Sequence, residues 1–193
     1  MKHILSAQQF SLSDLNQILT RAHEMEEILQ KGGTQIAQGK ILATLFYEAS
    51  TRTRLSFESA MYRLGGNIVS ETDVQFSSQT KGEVLPDTIR IVGGYSDIIT
   101  LRSPNAGDAD IAAQYSPVPI INGGDGPAEH PTQALLDLYT IKKHFEHLGS
   151  DRVTISFVGD LKYGRTVHSL LKLLRNFEGT QIHFVAPEEI QIP

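Results

Sequence analysis

The sequence predicts an α/β protein: a parallel sheet with helices on both faces, followed by the beginning of a second α/β domain. Three observations carry that prediction. Short apolar runs alternate with longer helical patterns along the whole chain, as βαβ units do. The runs are apolar at nearly every position, as strands covered on both sides are. Hydrophobic residues make up 40% of the 193 and charged residues 20%, a mix that can bury a core.

The elements follow in order. Residues 12–31 predict a helix, with Ser11 and Asp14 as a capping-box pair in which Asp replaces the commoner Glu. Leu12, Leu15, Ile18, Leu19, Ala22, Met25, Ile28 and Leu29 keep three-and-four spacing, and Gly32-Gly33 stops the helix. Residues 41–46 are too short an apolar run for a helix and predict a buried strand. A polar turn at 48–52 leads into a helix that closes at Gly65-Gly66. Residues 67–70 predict a second strand and 71–82 a polar, Ser-rich loop. A helix over 84–92 tolerates Pro86 in its first turn. Residues 97–101 predict a third strand, 108–115 a short helix and 118–122 a fourth strand. The Gly-rich stretch 122–127 predicts a loop, and Pro131 opens a helix that ends near residue 148.

Gly149-Ser150-Asp151 predicts a boundary between a domain over 1–149 and the start of another over 150–193. Beyond it come a strand at 153–158, a helix at 165–176 and a strand at 181–185. Two strands and one helix are too few for an independent domain. The expectation is therefore a partial chain whose second domain is incomplete.

Composition removes several function classes. A net charge of −5 lacks the basic footprint of a nucleic-acid binder. Without cysteine there are no disulfides and no thiolate metal sites. No apolar run reaches the length of a membrane span, and the first residues lack a signal-peptide core. The expectation is a soluble, cytoplasmic protein.

Ligands of parallel α/β sheets bind beyond the carboxyl ends of the strands, so the segments after each strand carry the chemistry. After the first strand, Ser50-Thr51-Arg52-Thr53-Arg54 sets hydroxyls and guanidinium groups at a helix start. Such a start suits a phosphate dianion, and it equally suits plain capping by Ser50 or Thr51; both readings are open. After the second strand come Ser77, Ser78, Lys81 and Glu83, and after the third comes Arg102. His130-Pro131-Thr132-Gln133 opens the helix after the fourth, with His130 and Gln133 on one turn. After the fifth, residues 159–169 again place basic side chains, including Arg165, at a helix start. Neither a P-loop nor a dinucleotide fingerprint occurs. His144 and His147 have the spacing of a ligand pair, but no carboxylate cluster completes a metal site.

Ser50-Thr51-Arg52-Thr53-Arg54 and His130-Pro131-Thr132-Gln133, each after a strand, together resemble the carbamoyl-phosphate signature of the aspartate/ornithine carbamoyltransferase family. Residues 159–169 and the loop ending Lys81-Gly82-Glu83 resemble its aspartate branch. The resemblance implies that Ser50, Thr51, Arg52 and Thr53 hold phosphate. It implies that Thr53, Arg102 and His130 face the carbamoyl oxygen as the catalytic groups, and that Gln133 takes the carbamoyl NH2. It implies that Ser77, or Ser78 if the loop register slips by one, and Lys81 reach a neighbouring subunit's site in a homotrimer. Arg165, with Lys81, would bind aspartate.

The implied activity is transfer of the carbamoyl group from carbamoyl phosphate to the α-amine of L-aspartate, an early step of pyrimidine synthesis. No cofactor and no metal is expected, because phosphate is itself a good leaving group. A regulatory chain or another enzyme of the pathway is a further partner that the resemblance allows. Two alternatives stand beside this reading. One is a non-catalytic carbamoyl-phosphate-binding or assembly fragment. The other is the ornithine branch, against which the cations Lys81 and Arg165 weigh, since they would repel an aminated side chain.

Overall fold

Ser11 caps the first helix, α1 (Leu12–Gln30), through the reciprocal pair its sequence predicts. Its N–H donates to Asp14 Oδ2 at 2.9 Å, and the Asp14 N–H donates to Ser11 Oγ at 3.2 Å. The computed structural model describes residues 2–71, 81–145, 148–149 and 152–193. The chain divides into two compact units, Met1–Leu5 with His23–Ala128, and Ser6–Ala22 with Glu129–Pro193.

The first unit is built on a four-stranded parallel sheet of order β2-β1-β3-β4. Its strands are β1 (Ile41–Phe46), β2 (Asn67–Glu71), β3 (Ile98–Ser103) and β4 (Ile120–Asp125). The helices α2 (Thr51–Arg63), α3 (Leu85–Tyr95) and α4 (Asp108–Tyr115) connect them. Alternation along the strands sorts side chains to two faces. Ala43, Leu45, Ile99, Leu101 and Ile120 pack with Ile89 of α3 and Ala112 of α4 in one apolar cluster. Fully burying a Leu or Ile side chain contributes about 1.5–3 kcal/mol. Thr44 points the other way, and its hydroxyl donates to Glu58 of α2 at 3.1 Å. Helices therefore lie on both faces, as the apolar strands predict.

In the second unit, α5 (Pro131–His144) precedes a parallel pair, β5 (Val153–Val158) and β6 (Thr180–Val185), joined by α6 (Arg165–Leu174). Leu170, Leu173 and Leu174 supply the buried face of α6 at helical spacing. Among the described residues no helix is long and apolar enough to cross a membrane.

Three of the boundaries that differ from the sequence reading have a physical reason. The Gly-rich stretch expected as a loop is strand as far as Asp125. The helix expected to reach residue 148 ends at His144, where Lys142, Lys143 and His144 complement its C-terminal dipole. The helix expected over 84–92 runs on to Tyr95, and Gly93 lies in this last turn where α3 packs closely. A Cβ on Gly93 would meet the Pro117 ring at 2.6 Å.

Candidate active site

The strand order places a topological switch between β1 and β3, whose connections leave toward opposite sides. Ligands of such sheets bind beyond the carboxyl ends of the strands at that point. Phe46 and Arg102 are register partners there, and the Tyr47 N–H donates to the Arg102 carbonyl at 2.9 Å.

Arg102 is buried. Its Nη2 donates to Glu48 Oε1 at 2.8 Å and its Nη1 to the Gly123 carbonyl at 3.0 Å. The ladder explains the aim of this side chain. Leu101 pairs with Asn122 but Ser103 with Asp125, so β4 carries one extra residue opposite Arg102. Such bulges turn a strand and re-aim its side chains. The extra residue falls where the chain has Gly123 and Gly124. A Cβ on Gly124, whose φ is +129°, would sit 2.5 Å from Arg102 Nη1. Gly124, one of the glycines that suggested a loop, is the room the guanidinium needs, while Gly123 packs against Thr100.

Ser50 occupies the N-cap of α2 with extended backbone, and its side chain makes no capping hydrogen bond. The first helical bond runs from the Arg54 N–H to the Ser50 carbonyl at 3.2 Å. The amides of Thr51, Arg52 and Thr53 precede that bond and have no partner within the helix. Thr51 and Arg52 are exposed, while Ser50 and Thr53 are half-buried. Arg54 instead pairs along the helix with Glu58 at 3.2 Å. Between β1 and this turn, the Tyr47 phenol is pushed up to about 12 by burial and by Glu71 and Glu83, so it stays protonated. In this unit Ser50, Thr51, Arg52 and Thr53 follow the end of β1, and Arg102 lies at the end of the neighbouring strand β3. Lys81 is exposed. Ser77 and Ser78 lie outside the described residues.

The second unit carries His130, Gln133 and Arg165. His130 is buried at the N-cap of α5. Its N–H donates to Ser169 Oγ at 3.2 Å, and its Nδ1 lies 3.5 Å from Thr132 Oγ1. Ser169 in turn donates to Glu129 Oε2 at 2.8 Å, and Lys172 pairs with the other oxygen of the same carboxylate. Burial pushes the Glu129 carboxyl up, but bonds from Lys172 and Ser169 outweigh it and hold it below the ordinary range. Gln133 Nε2 donates to Asp137 Oδ1 at 2.9 Å. Arg165 is half-buried at the first position of α6.

Sequence reasoning missed Glu48, Glu129 and Asp137. A carboxylate four residues after Gln133 on one helix was the available signal for Asp137. Glu48 and Glu129 meet partners far along the chain, which spacing does not reveal. Among the described residues no group of three His, Cys, Asp or Glu could hold a metal ion.

A switch-point Arg beside an uncapped helix start is the make-up of an anion site in an α/β protein. Residues 2–143 match the family model described as aspartate/ornithine carbamoyltransferase, carbamoyl-P binding domain. The chain belongs to that family. It is 54% identical, over all of its own length and 63% of the relative's, to the aspartate carbamoyltransferase catalytic subunit of Methanocaldococcus jannaschii. A solved structure of an M. jannaschii catalytic subunit superposes with a TM-score of 0.94 at 54% identity, the chain covering 63% of it. A Trypanosoma cruzi aspartate transcarbamoylase, solved with carbamoyl aspartate and phosphate, gives a TM-score of 0.90 at 45% identity, with all of this chain and 62% of that one covered. The chain thus spans somewhat less than two thirds of the relatives it matches.

Proposed function

We propose that this chain binds carbamoyl phosphate, and that the whole protein transfers the carbamoyl group to the α-amine of L-aspartate. The observation that carries the reading is Arg102, buried and aimed by a bulge at the switch point beside an uncapped helix start. The family match and the relatives named for this activity support it.

In this reading the free amides of α2, with Ser50, Thr51, Arg52 and Thr53, hold the phosphate dianion. The amine of aspartate attacks the carbamoyl carbon. The C–O bond to phosphate then breaks, and the departing phosphate takes the amine proton. Negative charge develops on the carbamoyl oxygen, which Thr53, Arg102 and His130 stabilise as hydrogen-bond donors. Gln133 takes the carbamoyl NH2, and Arg165 binds an aspartate carboxylate. Holding both substrates in reacting geometry supplies much of the remaining acceleration.

The assembly belongs to the same proposal. A homotrimer that shares its sites would use Lys81, an exposed cation, and Ser77 from a neighbouring subunit. Domains over 1–149 and from 150 onward, a cytoplasmic setting and a regulatory or pathway partner complete the reading. The test is product analysis on the full-length protein given carbamoyl phosphate with aspartate or ornithine. Carbamoyl aspartate alone is the expected product; citrulline, or no turnover with either amino acid, would overturn the assignment.

A further inference from the structure

We infer that Asp137 is a positioning residue that sets the acyl-donor specificity of the site by fixing which way the Gln133 amide faces. The inference rests on the proposed contact between Gln133 and the carbamoyl NH2. A primary amide offers a carbonyl acceptor at one corner and an NH2 donor at the other, and the two ends have nearly the same shape. A Gln meeting an NH2 group is useful only when its carbonyl leads. Rotated by half a turn, it opposes one donor with another.

The structure contains a device that chooses the orientation. Gln133 and Asp137 lie four residues apart on α5, and Nε2 donates to Asp137 Oδ1 at 2.9 Å. An ionised carboxylate only accepts, so it must draw the NH2 corner of the amide toward itself. The Oε1 corner is thereby turned away, and no hydrogen bond from a described residue claims it. Both side chains are half-buried, so bulk water competes weakly for the pair. Gln133 thus presents a pre-set acceptor. Carbamoyl phosphate has an NH2 to give it, whereas acetyl phosphate, of the same shape, carries a methyl group and leaves the acceptor unpaired.

The test measures the ratio of carbamoyl phosphate to acetyl phosphate affinity by calorimetry on the full-length protein, wild type and variants. Asp137→Lys can only donate, so it draws the carbonyl toward itself and presents the wrong corner. The ratio is expected to fall about tenfold, with acetyl phosphate affinity changed little. Asp137→Asn keeps the shape but no longer dictates the orientation; a fall of about threefold is expected, and this variant carries the test if the Lys variant does not fold. Asp137→Glu keeps an acceptor and is expected to restore the ratio to within about twofold of wild type. In a Gln133→Ala background, Asp137→Asn is expected to leave the ratio unmoved, because its effect passes through Gln133.

A wild-type chain that discriminates, with Lys and Asn variants that discriminate equally well, overturns the inference alone. A wild-type chain that binds neither ligand, or both equally, overturns the Gln133 contact and the inference with it.

Discussion

Arg102 and Glu48 form an ion pair at 2.8 Å in which the guanidinium is almost wholly buried and the carboxylate is one-third exposed, with side-chain accessibilities of 7% and 33%. The pair joins the end of β3 to the turn that follows β1. It gives the buried cation a counter-charge and ties together the two segments that frame the switch point. Removing the carboxylate leaves the guanidinium undercompensated. Glu48→Ala is expected to lower the unfolding free energy by about 1–3 kcal/mol, and Glu48→Gln by less because it keeps an acceptor. Urea titration reads both; a midpoint unchanged in Glu48→Ala would show that the pair contributes nothing.

Gly124 is the position where backbone and Arg102 are most tightly coupled. Its φ of +129° disfavours any side chain, and a Cβ would collide with Arg102 Nη1 at 2.5 Å. Gly124→Ala is expected to weaken carbamoyl phosphate binding and to lower stability by about 1–3 kcal/mol. Gly107→Ala is the control: its φ is +92° with nothing within 4 Å, so it bears strain without touching Arg102. Calorimetry should show an affinity loss only in the first variant. Equal losses would mean that the Arg102 contact is immaterial.

The two readings of Ser50 separate experimentally. Its hydroxyl caps nothing in α2, so Ser50→Ala should change stability by less than about 0.5 kcal/mol. The same variant should weaken carbamoyl phosphate binding several-fold. A destabilisation of about 1 kcal/mol with unchanged binding is the signature of an ordinary cap instead.

Glu129 supplies a pH dependence with a definite sign. Burial raises its pKa, but Lys172 and Ser169 hold the native value below the ordinary one. A depressed carboxylate contributes stability above its unfolded pKa and loses it as pH falls through the native pKa. Glu129→Gln should therefore be less stable than wild type near neutrality, and the gap should close under acid. A gap constant across that range would assign the effect to packing rather than charge.

His130, buried at the start of α5, is the proposed donor to the carbamoyl oxygen. In the full-length enzyme, His130→Ala should lower kcat by about 2.7–4 kcal/mol of transition-state stabilisation, with a smaller effect on carbamoyl phosphate affinity. Steady-state kinetics combined with ligand titration separates the two. An unchanged kcat rejects the role.

Much of the fold was legible because local and global preferences agree. Ile41–Phe46 is apolar at almost every position since both faces of β1 are covered, and Ser11 with Asp14 announces the start of α1. The reading erred at Gly123 and Gly124, which are strand rather than turn, Gly124 leaving room for Arg102 and Gly123 for Thr100. That distinction depends on a neighbouring strand and is invisible along one segment. The same limit hid Glu48 and Glu129, whose partners lie far away in sequence, whereas Asp137 stood one helical turn from Gln133.

The central claim is that the start of α2 and the end of β3 grip a phosphate-bearing donor. Calorimetric titration of carbamoyl phosphate into wild type, Arg52→Ala and Arg102→Ala tests it most directly. Saturable binding by the wild type that falls at least about tenfold in each variant is the expected result. Wild-type affinity in both variants would contradict it.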